Sequence, residues 1–294
     1  MERQTIIILG RDPAVYVSTF FNEIVTCRLP DGSVRRLLAK RGGAHTAPTY
    51  GHRGGVPYEA RVYRSVLEPL ATSAPRFYGS EHDADTGETT LLIDYLENAR
   101  RLQSVQPPKL PDAARWIGAF HRSNELRVAT LRNWITSYDA SYYLGWMQRT
   151  LTLSPELHRP WLQAVSRHFG ALTEEIMATP VTIIHGEYYP HNILVHAGVI
   201  APVDWESAAI APGEIDLAGL TEGWSDEIQR DCESEYRRAR WPEGAPLEFE
   251  RRLGVAGMYL LFRWLGDRLE WVTGERGEWR FASLRRLSEQ LGVL

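Results

Sequence analysis

The chain has 294 residues, with 33 Lys and Arg against 37 Asp and Glu and a formal charge of -4. Hydrophobic residues make up 44% and charged residues 24%, the balance of a globular protein and not of a disordered one. The length allows one large domain or two lobes that each bury a core. No long basic run is present, which argues against a nucleic-acid partner. Cys27 and Cys232 are the only cysteines, too few for a disulfide scaffold or a cysteine-based metal site. No stretch reads as a signal peptide or a membrane span, so the expected setting is reducing, cytoplasmic and without a membrane partner.

The first third reads mainly as strands. Glu23 to Leu29, the turn Pro30-Asp31-Gly32-Ser33 and Val34 to Lys40 form a hairpin signal: two apolar strands about an Asp-Gly turn. Residues 42–57 are rich in glycine and proline and predict no regular structure. A helix is expected from Pro57 to about Leu70, with Tyr58, Val62 and Val66 or Leu67 on one face. Phe77-Tyr78 and Thr89 to Tyr95 read as two more strands. Beyond Leu96 the character changes, and Asp112 is the expected cap of a helix carrying Trp116, Ile117, Phe120 and His121. Helical patterns resume over 138–152 and 156–178, yield to a strand-and-turn region at 181–212, and dominate from about 215. The expected domains are a strand-rich lobe at 1–96, a crossover at 97–111 and a helical lobe at 112–294.

The chemistry concentrates in 181–216. Apolar strands deliver His185-Gly186-Glu187 at one end and Asp204-Trp205-Glu206 at another, and Asn192 precedes the strand Ile193-Leu194-Val195. A carboxylate and an amide five residues apart, followed by a hairpin that delivers a second carboxylate, can converge oxygen ligands on one point. Such ligands suit magnesium, and magnesium suits nucleotide phosphates.

This pattern resembles the aminoglycoside phosphotransferase and choline kinase superfamily, the small-molecule relatives of protein kinases. In that family His-Gly-Asp is followed after four residues by Asn and later by Ile-Asp-Trp-Glu. The likeness spans roughly residues 15–290 and is most specific at 185–216. It implies an α+β, bilobal protein-kinase-like fold with a small antiparallel-sheet N-lobe and a larger helical C-lobe. It also implies transfer of the γ-phosphoryl group of ATP or GTP, held with Mg2+, to a hydroxyl of a small molecule.

Position by position, the resemblance assigns Glu187 to the carboxylate that orients the acceptor hydroxyl, and Asn192 and Asp204 to the metal. It assigns His185 to bracing the loop, Asp216 to tying the backbone together and His121 to a helix-end histidine. Lys40 would contact the phosphates with Glu59 as its ion-pair partner; Arg41 and Glu68 are the neighbouring alternatives. Asp94, Tyr95 and Leu96 fall where the adenine binds, and Ser18 and Thr19 where a loop covers the phosphates, although no glycine-rich fingerprint is present there. The stretch 42–55 is the other candidate for that cover. Glu222, Trp224 and Trp264, together with Trp241, Tyr259 and Trp271, are the expected acceptor side, suited to an aminoglycoside, a sugar, a choline-like alcohol or a natural-product intermediate.

Glu187 departs from the family Asp by one methylene, and an ångström of misplacement can cost about a hundredfold in rate. That leaves a second reading, a nucleotide-binding protein with impaired transfer and a regulatory or scaffolding role. Asp204 and Asp216 lie only twelve residues apart, too close for the activation segment of a protein kinase.

Overall fold

The computed structural model describes residues 6–14, 19–44, 52–105, 108–153, 159–269, 272 and 274–294. The strands are β1 (Ile7–Pro13), β2 (Phe21–Arg28), β3 (Val34–Gly42), β4 (Phe77–His82), β5 (Thr89–Asp94) and β6 (Arg100–Arg101). They continue with β7 (Thr136–Ser137), β8 (Val181–Ile184), β9 (Ile193–His196), β10 (Val199–Pro202) and β11 (Ala209–Pro212). The helices are α1 (Gly55–Val62), α2 (Leu110–Asn124), α3 (Val128–Leu131), α4 (Ala140–Leu153) and α5 (Pro160–Ala178). After them come α6 (Glu214–Thr221), α7 (Asp226–Arg240), α8 (Phe249–Asp267) and α9 (Gly274–Gln290). The chain forms two compact units, one of residues 1–106 with 191–207 and one of residues 107–190 with 208–294.

In the first unit an antiparallel sheet runs in the order β1-β2-β3-β5-β4. The β2–β3 hairpin turns where Gly32 adopts φ +83 and the Asp31 carboxylate accepts from the Ser33 amide and hydroxyl. Its inward residues Val25, Cys27, Leu37 and Ala39 make a core that Leu29, Tyr78 and Leu92 extend. Helix α1 does not run on unchanged to Leu70. A π-helical turn at Tyr63–Leu67 and a 3-10 turn at Glu68–Leu70 follow it, and the left-handed Ala71 ends it just past Pro69. The wider turn absorbs one extra residue while Val62, Tyr63, Val66 and Leu67 all stay buried. A second small sheet, β10-β9-β6, completes the unit.

The second unit is helical around a three-stranded sheet in the order β7-β11-β8. Helix α2 packs along α7, and α8 packs against α4 and α6. Asp112 is not the cap of α2, contrary to expectation. The helix begins at Leu110 with Pro111 in its first turn, where the fixed φ of proline suits a helix start, and Asp112 pairs with Lys109 at 3.2 Å. The 181–212 region, read from sequence as one insert in the helical lobe, is shared: β8 and β11 pair in the second unit, while β9 and β10 belong to the first. No described helix is long and apolar enough to cross a membrane.

Leu37 is fully buried in the sheet core. Leu37→Ala is therefore expected to destabilise the chain by about 2–5 kcal/mol in urea unfolding, because truncation leaves a cavity. A loss below about 0.5 kcal/mol, the range of surface changes, would show that this core is not tightly packed.

Candidate active site

Strand alternation puts Lys40 and Arg41 on opposite faces of β3, with Lys40 on the face away from Leu37 and Ala39. Lys40 is 6% exposed, whereas Arg41 is exposed, lies over the Phe21 ring and pairs loosely with Glu88 at 3.6 Å. The Lys40 ammonium sits 2.7 Å from Glu59 Oε2 and donates to Asp204 Oδ1 at 2.6 Å. Burial disfavours its charge, but the two carboxylates outweigh burial and raise its pKa, so Lys40 stays protonated. Burial also raises the Glu59 pKa, against the opposing pull of Lys40. Glu59 is 1% exposed, and its Oε1 accepts from the Trp205 amide at 3.1 Å. One carboxylate of α1 thus ties β3 to the turn after β10. Glu68 ends the same helix in its exposed 3-10 turn.

That turn holds Asp204 at φ +67, a left-handed conformation that is uncommon outside glycine and is found more often at functional sites. The β9–β10 register continues one step past its strands, where the Val203 amide donates to the Asn192 carbonyl at 2.9 Å. Asn192 and Asp204 therefore flank the same end of the hairpin. The Asp204 side chain keeps 38% of its surface exposed while its neighbours Lys40 and Glu59 are buried. Two carboxylates against one ammonium leave surplus negative charge, and an amide and a carboxylate are hard oxygen donors, so these residues fit Mg2+. Magnesium sites of this type use one or two carboxylates and complete their shell with phosphate oxygens and water. Accordingly, among the described residues no group of three or more His, Cys, Asp or Glu side chains forms a metal cluster.

Phe20 places its ring 5.5 Å from the Lys40 ammonium. It can do so because residue 42 is glycine: a Cβ there would fall 2.3 Å from the Phe20 ring. Thr19 is exposed beside it, and Ser18 lies outside the described residues. At the end of β5, the Asp94 carboxylate accepts from the Arg76 amide at 3.2 Å. The Tyr95 amide donates to the Arg36 carbonyl at 3.3 Å, and the Leu96 carbonyl accepts from Ala99 at 3.2 Å. Glu206 is buried, and its carbonyl accepts from the Gly54 amide just before α1.

In the second unit, Asp216 at the start of α6 organises the loop after β8. Its Oδ2 accepts from the His185 amide at 2.6 Å and from His121 Nε2 at 3.1 Å, and its Oδ1 accepts from the Gly186 amide at 2.9 Å. Gly186 takes φ +82, and His185 Nδ1 accepts from the Glu187 amide at 3.3 Å. Burial lowers the His121 pKa more than Asp216 raises it, so the imidazole is neutral. Asp216 can only accept, which places the His121 proton on Nε2; Nδ1 then accepts from the Tyr236 hydroxyl at 3.0 Å. Tyr236 in turn accepts from Arg240 at 2.5 Å, and Arg240 pairs with Glu214 and Glu125. Gly213 is the close approach this node requires, since a Cβ there would fall 2.5 Å from His121 Nδ1 and 2.4 Å from Arg240.

Glu187 is 5% exposed, and its Oε1 lies 3.5 Å from the Arg263 guanidinium. Arg263, buried on α8, also donates to the Gly186 carbonyl at 2.7 Å and to the Tyr189 hydroxyl. Trp264 Nε1 donates to the same hydroxyl at 3.1 Å. Glu222 ends α6, Trp224 is half-buried two residues on, and Tyr259 is buried among Tyr138, Tyr142 and Tyr143. Trp241 packs on Tyr236 and Phe249, and Trp271 lies outside the described residues. Sequence reasoning passed over Arg263 and Phe20. A lone cation in the apolar run Leu260-Leu261-Phe262-Arg263-Trp264-Leu265 was the available signal, because arginine is almost never fully buried unless paired.

The neutral His121 sets a pH dependence. Its folded pKa lies below the unfolded value of about 6.5, so its contribution is complete above that value and is lost as pH falls through it toward the folded pKa. Melting temperatures measured from pH 7.5 to 5 should fall more steeply for the wild type than for His121→Gln. Parallel curves would contradict the neutral assignment.

A family model described as phosphotransferase enzyme family matches residues 29–249. No curated protein sequence matches the chain. Among solved structures, choline kinase LicA from Streptococcus pneumoniae is 15% identical with a TM-score of 0.63, covering 98% of this chain and 95% of that one. A choline/ethanolamine kinase family protein from Mesorhizobium loti is 16% identical with a TM-score of 0.64, covering 97% and 90%. An aminoglycoside-3'-phosphotransferase of type VIII is 16% identical with a TM-score of 0.53, covering 89% and 94%. At these identities the structural likeness is one of fold, and the family match stands on the sequence. The chain belongs to the phosphotransferase enzyme family.

Proposed function

We propose that the chain is a small-molecule kinase that moves the γ-phosphoryl group of ATP or GTP, bound with Mg2+, onto a hydroxyl. The observation that carries this reading is the Lys40 ammonium held at 2.7 Å from Glu59 and 2.6 Å from Asp204. A cation held this firmly can meet phosphate oxygens without first being ordered, so its position costs nothing when the nucleotide arrives. Asn192 and Asp204 would hold the Mg2+, which neutralises phosphate charge when bound. Glu59 keeps Lys40 oriented. Glu187 orients the acceptor hydroxyl and takes its proton as the new oxygen–phosphorus bond forms and the bond to the β-phosphate oxygen breaks.

The transferred group spreads its charge over its oxygens, so the protein acts through position and electrostatics and no side chain need be phosphorylated. Asp94, Tyr95 and Leu96 would meet the base, with Thr19 and Ser18 on the phosphate side. His185, Asp216 and His121 would hold the Glu187 loop in shape. The acceptor would meet the surface near Glu222, Trp224 and Trp264. A cytoplasmic setting accords with the two free and buried cysteines, Cys27 and Cys232.

Calorimetric titration with ATP and with GTP, each with and without Mg2+, tests the reading. Magnesium-dependent binding to the wild type is expected, weakened at least tenfold in Asp204→Ala. Binding that ignores both magnesium and this substitution would overturn the assigned phosphate site, and no binding of either nucleotide would overturn the kinase reading.

A further inference from the structure

The carboxylates on the proposed acceptor side do not stand alone. Glu187 lies 3.5 Å from Arg263, and Glu222 lies 3.9 Å from Arg280 on α9. The two pairs are joined. Arg263 and Trp264 both donate to the Tyr189 hydroxyl, the Tyr189 and Trp264 rings lie 5.6 Å apart, and Arg280 sits over the Trp264 ring at 5.2 Å. The result is one continuous line: Glu187, Arg263, Tyr189, Trp264, Arg280, Glu222. It runs acid, base, aromatic, aromatic, base, acid, and so carries two acids against two bases. Arg263 and Glu187 are nearly buried, and the Arg280 and Glu222 side chains are only 16% and 21% exposed, so little water screens the compensation.

We propose that this surface is built for an uncharged, hydroxyl-bearing acceptor such as a sugar or polyol, and against a cationic one. The inference rests on the kinase reading above and deepens it. An ammonium arriving here would meet carboxylates that already have a guanidinium each, and it would face both guanidinium charges at short range. A hydroxyl loses nothing by the same arrangement. Burial pushes Glu222 up to about 7 against the opposing effect of Arg280, so near neutral pH this acid carries only part of a charge. Asp226 and Glu227, next along the chain, are exposed in the first turn of α7, where they serve the helix dipole.

The test is magnesium-dependent ATP or GTP turnover with two sets of acceptors, glucose, myo-inositol and glycerol against choline, ethanolamine and kanamycin. The best neutral compound should exceed every cationic one at least tenfold in kcat/KM. At pH 8.5, where Glu222 is ionised, Arg280→Gln should strengthen inhibition by choline and kanamycin at least tenfold relative to the neutral compounds. Adding Glu222→Gln should erase that gain, and melting curves check that both variants fold. Preference for choline or kanamycin in the wild type, failure of every neutral compound to react or bind, or an unchanged response in Arg280→Gln would each overturn the inference. Absence of all nucleotide turnover, hydrolysis included, would instead remove the kinase reading beneath it.

Discussion

A buried ammonium is expensive to hold, and the first unit is arranged around one. Removing Lys40 from water is tolerable only because Glu59 and Asp204 both reach it, and breaking such a buried pair typically costs about 3–5 kcal/mol. The requirement propagates through the chain. It sets which face of β3 carries Lys40 and the phase of α1. It also brings the turn after β10 to Glu59 through the Trp205 amide, with Asp204 in a left-handed backbone. Phe20 closes over the ammonium where Gly42 makes room. Segments far apart in sequence are held together by one charge and its partners.

The second unit meets the same kind of problem with the opposite sign. Asp216 is 1% exposed and accepts three N–H donors, two from the backbone of the loop that ends in Glu187 and one from neutral His121. A buried carboxylate satisfied by backbone amides stiffens the backbone that satisfies it. That is the property a loop needs if its next residue is to hold a hydroxyl to within a fraction of an ångström. The Arg263 fork adds a second restraint by gripping Gly186, Tyr189 and Glu187 together. In the proposed mechanism it offers one physical account of how glutamate serves where the resemblance implies aspartate: the longer side chain is held at its end.

Much of this was legible in the sequence where a local rule governs. The Asp-Gly turn and the alternation around it specify the hairpin, and alternation puts Lys40 and Arg41 on opposite faces of β3. Glu59 differs from Glu68 because only Glu68 stands against the proline that ends the helix. The unread parts are those decided by packing. Asp112 looked like a cap, but Pro111 starts the helix earlier. The π turn at Tyr63–Leu67 has no sequence signature; it follows from keeping four residues buried around one extra position. The separation of β9 and β10 from β8 and β11 depends on long-range strand pairing that local pattern does not encode. Ser18 and Trp271 fall outside the described residues.

The most direct test of the Lys40–Glu59 pair as the organiser of the phosphate site is a double-mutant cycle with Lys40→Met and Glu59→Gln, read as magnesium-dependent nucleotide affinity. If Glu59 acts by positioning Lys40, each single variant should lose about tenfold or more, and the double variant should lose little beyond Lys40→Met alone. Losses that simply add would mean that the two residues act independently and that the pair does not organise the site.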